Sequence, residues 1–196
     1  MTLDLAAIRV GKIRDLTHAQ LAGVDLSGAD LAGVDFSQAN LSGATLAGAN
    51  LRGAILRANL RGADLTGANL TQVDGRNGDW RGAILLDITT AEASFAGGFL
   101  AGAILSKVDL SGVDLRGADL RGAQLSQVCL HLADLRSANL SGADLTRADL
   151  EEANLEGAVL RGANLFRASL LCASVKAVQW EGANLEGACQ DGISLR

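Results

Sequence analysis

Along nearly the whole chain an apolar residue returns at every fifth position, with a small residue two places before it. Typical units are Ala49-Asn50-Leu51-Arg52-Gly53, Ala63-Asp64-Leu65-Thr66-Gly67, Ala118-Asp119-Leu120-Arg121-Gly122 and Ala183-Asn184-Leu185-Glu186-Gly187. From Leu60 to Leu195 this frame is unbroken and holds 28 central positions, 21 of them Leu. The others are Gly75, Trp80, Thr90, Phe95, Val175, Trp180 and Gln190. An earlier frame from Leu16 to Leu56 adds nine central positions, eight Leu and Phe36. Self-similarity at a fixed period dictates architecture before local propensity does.

A continuous helix cannot satisfy this pattern, because a period of five advances about 140° around the helix per repeat and smears the leucines over every side. A continuous strand fails as well, since its faces alternate with a period of two. A short extended piece followed by a turn satisfies it. Within the piece the small residue and the central residue point to one side, and the Asp or Asn between them points to the other. The last two residues turn the chain, and Gly tolerates the backbone angles required. Repetition winds the chain into a coil with Leu and Ala inside.

The outward arginines set the number of sides. Of the arginines directly after a central position from Arg52 to Arg161, with four sides Arg61, Arg81, Arg121 and Arg161 share one side and Arg57, Arg76, Arg116 and Arg136 the adjacent one, leaving only Arg52 elsewhere. With three sides they scatter. Nine central positions plus 28 make 37, hence about nine four-sided coils. At about 4.8 Å per coil the shaft is about 43 Å long. The expected interior includes Leu60, Leu65, Trp80, Phe95, Leu110, Leu120, Leu140, Leu160 and Trp180.

From Asp15 to Arg196 these units resemble the pentapeptide-repeat family, whose pattern is a small residue, Asp or Asn, Leu or Phe, then two polar residues. The resemblance implies an all-β solenoid, a right-handed quadrilateral β-helix. The opening Leu3 to Lys12, followed by Arg14-Asp15-Leu16, also resembles the short N-terminal capping helix and first strand of cyanobacterial-type members. The expected organisation is therefore a cap over residues 1–14 and a β-helix over 15–196. A cap is physically required, since an open coil end is an unpaired strand edge.

The pattern breaks twice. Only Arg57 separates Leu56 from Ala58, so one residue is missing and a tightened corner is expected near 56–60. In the irregular stretch 73–100 the frame survives, but Gly75, Trp80 and Thr90 fill central positions, and Asn77-Gly78 and Gly97-Gly98 look like turns. Trp80 either fills the space vacated by Gly75 or swings outward as a partner anchor.

Composition adds limits rather than direction. Net charge is −5, with 17 basic residues interspersed, which argues against nonspecific nucleic-acid binding. No apolar run approaches membrane length, and Met1 to Lys12 lacks a signal-peptide core. Cys129, Cys172 and Cys189 have no metal or CxxC spacing, and Cys129 and Cys189 lie three coils apart on one column, which suggests reduced thiols in a cytoplasmic protein. His18 and His131 are isolated. No catalytic residue, metal or cofactor is expected, because no nucleophile, base or ligand set converges and a leucine-filled shaft offers no pocket.

Three surfaces are candidates for binding. One side carries Glu92, Asp109, Asp149, Glu151, Glu152 and Asp191 and no Lys or Arg after Leu60. It either docks a basic partner or serves solubility. Ile84, Leu86 and Ile104 face outward on one side with Phe99 on its neighbour, an apolar patch unless a local distortion tucks some of them in. The chain stops mid-pattern at Leu195-Arg196, which invites end-to-end pairing with a second copy. The leading expectation is a non-enzymatic scaffold that presents a rigid shaft to a protein partner. Family resemblance adds a DNA-mimicking, gyrase-interacting reading, and a purely structural module is the third.

Overall fold

The computed structural model describes residues 4–193. Its one helix, α1, spans Leu5–Arg9, and all else is short extended pieces joined by two-residue turns. Bridges are parallel and join each outward residue to the one twenty positions on, as in Asp119 with Asn139 and Asn139 with Val159. Four pentapeptides therefore complete one coil. At Leu120 the pattern is complete: its N–H donates to the Asn139 carbonyl above (2.8 Å), Asn139 N–H donates back to Ala118 (2.9 Å), and Ala123 N–H closes the turn onto Leu120 (3.1 Å). Parallel pairing buries the leucines in one continuous column, so Leu60, Leu65, Leu140 and Leu160 are wholly excluded from solvent and Leu110 and Leu120 nearly so.

Four faces result. The first carries central residues such as Gly75, Phe95, Leu115 and Leu135; the second Leu60, Trp80, Leu100 and Leu120; the third Leu65, Leu85 and Leu105; the fourth Leu70, Thr90, Leu110, Leu130 and Leu150. At the missing residue the bridge spacing drops to nineteen (Asn40 with Asn59, Ile55 with Asp74) and returns to twenty from Asn59 with Asp79. The corner at Arg57-Ala58 is shortened while the column order of all four faces is preserved.

The helix covers the lower end. Asp4 caps it by accepting from Ala7 N–H at 3.0 Å, and Ile8 is fully buried against the first coil. The carbonyls of Asp25, Ser27 and Ala32 have no coil beneath them to supply N–H donors. Arg9 donates to Asp25 (2.9 Å) and Ser27 (2.6 Å), and Arg14 donates to Ala32. Guanidinium groups thus stand in for the amides of an absent strand.

Trp80 is fully buried. Its indole occupies the room left by Gly75, donates to the Gly75 carbonyl (3.2 Å) and meets Phe95 edge-on with centroids 5.2 Å apart. A Cβ on Gly75 would lie 2.8 Å from Trp80 Cζ2, and one on Gly78 would lie 2.6 Å from its Nε1. Two expectations need correction. The turns are Arg76-Asn77 and Ala96-Gly97; Gly78 and Gly98 instead open the following strands, where they make way for the aromatic pair. Trp180 is only partly buried, because among the described residues no coil lies above it. The expected pairing end, Leu195-Arg196, lies outside the described residues.

Candidate functional site

Most outward charges of the first and second faces are paired. In the units ending in Asp-x-Arg, the guanidinium folds back along its own strand onto the carboxylate two residues earlier. Arg121 places Nε and Nη2 each 2.7 Å from the Asp119 oxygens, and Arg116 places them each 2.9 Å from Asp114. Arg76 on Asp74, Arg81 on Asp79 and Arg136 on Asp134 repeat this fork. The hydrogen bond from the neighbouring guanidinium holds the carboxyls of Asp74, Asp79, Asp114, Asp119 and Asp134 below the usual carboxylate range. Pairing across coils is less regular: Arg57 bonds Asp74 and Arg161 bonds Glu181 (3.1 Å), whereas Arg116 stands 3.7 Å from Asp134.

The fourth face differs. Glu92, Asp109, Glu152 and Asp191 are exposed and Asp149 and Glu151 are half-buried. None of these six forms an ion pair among the described residues. Asp109 accepts from Ser111 N–H (2.9 Å) and hydroxyl (2.5 Å), bonds that hold its carboxyl below the ordinary value. On the same face Cys129 is half-buried, 3.1 Å from the Ser111 hydroxyl, and Cys172 and Cys189 are exposed. Among the described residues no His, Cys, Asp and Glu cluster has metal-binding geometry.

The apolar patch is smaller than its sequence suggests. Ile84, Leu86 and Ile104 are half-buried, whereas Phe99 is 47% exposed with the Arg81 guanidinium 5.9 Å from its ring centroid.

Sequence reasoning missed one feature: the ladder opens on the fourth face. Thr89 and Asp109 stand twenty apart but form no bridge, although Asn69–Thr89 below and Asp109–Cys129 above are intact. Around them the expected backbone bonds from Asp87 to Ser106, Thr90 to Asp109, Glu92 to Ser111 and Asp109 to Ile88 are absent. In their place the Thr90 hydroxyl donates to the Asp109 carbonyl at 2.8 Å. The cause lies in two adjacent misfits. Ile88 occupies an inner position that is Ala one coil below (Ala68), and it stacks under Val108. Thr90 is too short for a leucine position, and its hydroxyl takes the carbonyl its own N–H would have used. The result is a recess of 230 Å³ lined by Ile88, Thr89, Thr90, Ala91, Asp109 and Ser111. Ile-Thr-Thr in place of Ala-Asp-Leu was the available signal: large where small belongs, short where long belongs.

A four-sided parallel solenoid with a packed interior and chemistry confined to its outer columns belongs to the class of repeat proteins that present a rigid surface. The pentapeptide-repeat family model matches in eight copies over residues 19–57, 57–85, 93–131, 129–167 and 143–178. The chain belongs to the pentapeptide-repeat family, and its fold is the right-handed quadrilateral β-helix. Residues 86–92, which the match passes over, are those where the ladder opens.

Among solved structures, HetL from the cyanobacterium Nostoc sp. strain PCC 7120, involved in heterocyst differentiation regulation, is 31% identical over 90% of this chain and 86% of its own, with a TM-score of 0.49. Rfr23 from the cyanobacterium Cyanothece 51142 is 25% identical over 95% and 92%, with a TM-score of 0.22. Full-length QnrB1, a plasmid-mediated fluoroquinolone resistance protein, is 17% identical over 89% and 88%, with a TM-score of 0.43. Comparison with curated protein sequences returned no match. No helix among the described residues is long and apolar enough to cross a membrane.

Proposed function

We propose that this protein is a non-enzymatic docking module whose fourth face receives a basic surface of a protein partner. One observation carries the reading: the fourth-face carboxylates from Glu92 to Asp191 have no cationic partner among the described residues, while on the first and second faces Arg76, Arg81, Arg116, Arg121 and Arg136 are forked onto their own aspartates and Arg57 and Arg161 pair with carboxylates of the next coil. Paired charges have little left to offer a partner, whereas an unneutralised column steers and orients a basic one. Glu92, Asp109, Asp149, Glu151, Glu152 and Asp191 supply that column over more than four coils.

The test is capture from a lysate of the source organism by wild type and by D149K/E151K/E152K. A partner bound by wild type and lost by the variant, with binding weakened as salt rises, is the expected result. A partner held equally by both overturns the acidic-face reading and moves attention to Phe99 and the neighbouring Ile84, Leu86 and Ile104. Capture of nothing by either favours a purely structural module. Duplex mimicry toward gyrase would need acidic charge around the shaft, and the guanidinium groups of two faces interrupt it. DNA supercoiling by gyrase is therefore expected to proceed unchanged when this protein is added.

A further inference from the structure

We infer that the opened rung on the fourth face is a receptor for one arginine side chain of the docking partner. The inference rests on the reading of that face as a docking surface and gives it an anchor point.

A strand ladder that fails to close leaves both of its edges unsatisfied, and such groups take a ligand or water. Here the carbonyls of Ile88 and Ser111 lose the N–H donors of Asp109 and Glu92, so acceptors from both coils border one gap. The recess of 230 Å³ has room for the planar end of an arginine. Its walls include the side chains of Ile88 and Ala91, apolar surfaces that suit the flat faces of a guanidinium. The rim supplies what the edges of that group need: the carbonyls and the Asp109 carboxylate, one of whose oxygens is left over by Ser111.

The opened rung also leaves the N–H groups of Asp87, Ile88, Thr90, Glu92 and Asp109 without backbone acceptors, so an anion is the competing occupant. Charge decides between them. Asp109 lines the recess, Asp87 and Glu92 occupy the two flanking turns, with Glu92 accepting from Gln72 in the coil below (3.0 Å), and the single cation beside them is Lys107, one coil above Asp87. An anion would enter a site of net negative charge. A guanidinium enters a complementary one, with five donors in a rigid fork that suits carbonyl and carboxylate together. A lysine ammonium carries the same charge as a compact, strongly hydrated point and has no flat face to lay against Ile88 and Ala91.

The test uses the intact chain, isotope-labelled, and follows backbone amide resonances during titration with methylguanidinium chloride, then methylammonium chloride, then sodium acetate. The comparison variant is I88A/T90L, which restores the family pattern and is expected to close the rung; its thermal unfolding, expected at or above the wild-type temperature, shows that loss of binding does not reflect loss of fold. Saturable shifts at Thr90, Glu92 and Asp109 with methylguanidinium, at least tenfold weaker in I88A/T90L and with methylammonium, are expected. Shifts spread equally over Glu151 and Glu152, or a response to acetate alone, overturn the inference. Partner capture separates the acidic face from the arginine receptor. If I88A/T90L captures the partner as wild type does while D149K/E151K/E152K loses it, the acidic face stands and the arginine receptor falls.

Discussion

Trp80 shows how a repeat absorbs an oversized residue. Gly75 surrenders its volume one face earlier, and Gly78 lets the backbone pass beside the indole. Restoring leucine at position 75, the residue the repeat prefers, is therefore expected to destabilise the fold by about 1–3 kcal/mol through overpacking. W80L alone leaves a cavity, and the double variant G75L/W80L recovers most of both losses; additive losses in a denaturant cycle would show that the two sites do not share volume. The exchange of volume between slots was legible in the sequence, because a glycine and a tryptophan stand five residues apart in one frame. Which of the two tryptophans lies in a closed interior was not legible, since that depends on what lies above. Iodide is expected to spare Trp80 and quench Trp180, so W180F should retain emission that resists quenching and W80F should lose it. Backbone strain shows at Leu132, which takes a left-handed φ of 59° at a corner where Gly often sits and is 55% exposed. L132G should raise stability by about 0.5–1 kcal/mol by chemical denaturation, because relief of the left-handed strain exceeds the flexibility added to the unfolded chain.

Within a single strand, the Asp-x-Arg fork is the unit of surface chemistry. Because Asp74, Asp79, Asp114, Asp119 and Asp134 titrate below the unfolded carboxyl value of about 4, their contribution is complete above that value and is lost as pH falls through the lower, folded range. Thermal stability is expected to hold between about pH 5 and 8 and to decline below about pH 4. In D79N/D119N that decline should be shallower; an unchanged slope would mean that these forks carry no linked stability. The partially exposed arginines limit the size of the effect. The placing of these forks on two adjacent faces was readable from five-residue spacing alone. The opened rung was not, although Ile88, Thr89 and Thr90 were in plain view. A repeat pattern reports which side chain points inward, whereas a hydroxyl capturing the next coil's carbonyl is a contest between one side chain and its own N–H. That contest is settled only once Ile88 and Val108 are stacked.

For the molecule as a whole, the ladder makes the shaft a set of coils, each held by its neighbours, and the missing residue at Arg57 shows how little a local defect spreads: two frames meet and all four columns continue. Each bridge joins residues only nineteen or twenty apart, and the helix that covers the lower end lies at the start of the chain. A ribosome adding about 5–20 residues per second delivers a further coil every 1–4 s. Every bridge of that coil then has its partner within the preceding twenty residues, so assembly can follow synthesis upward from the capped base without waiting for a distant segment to emerge.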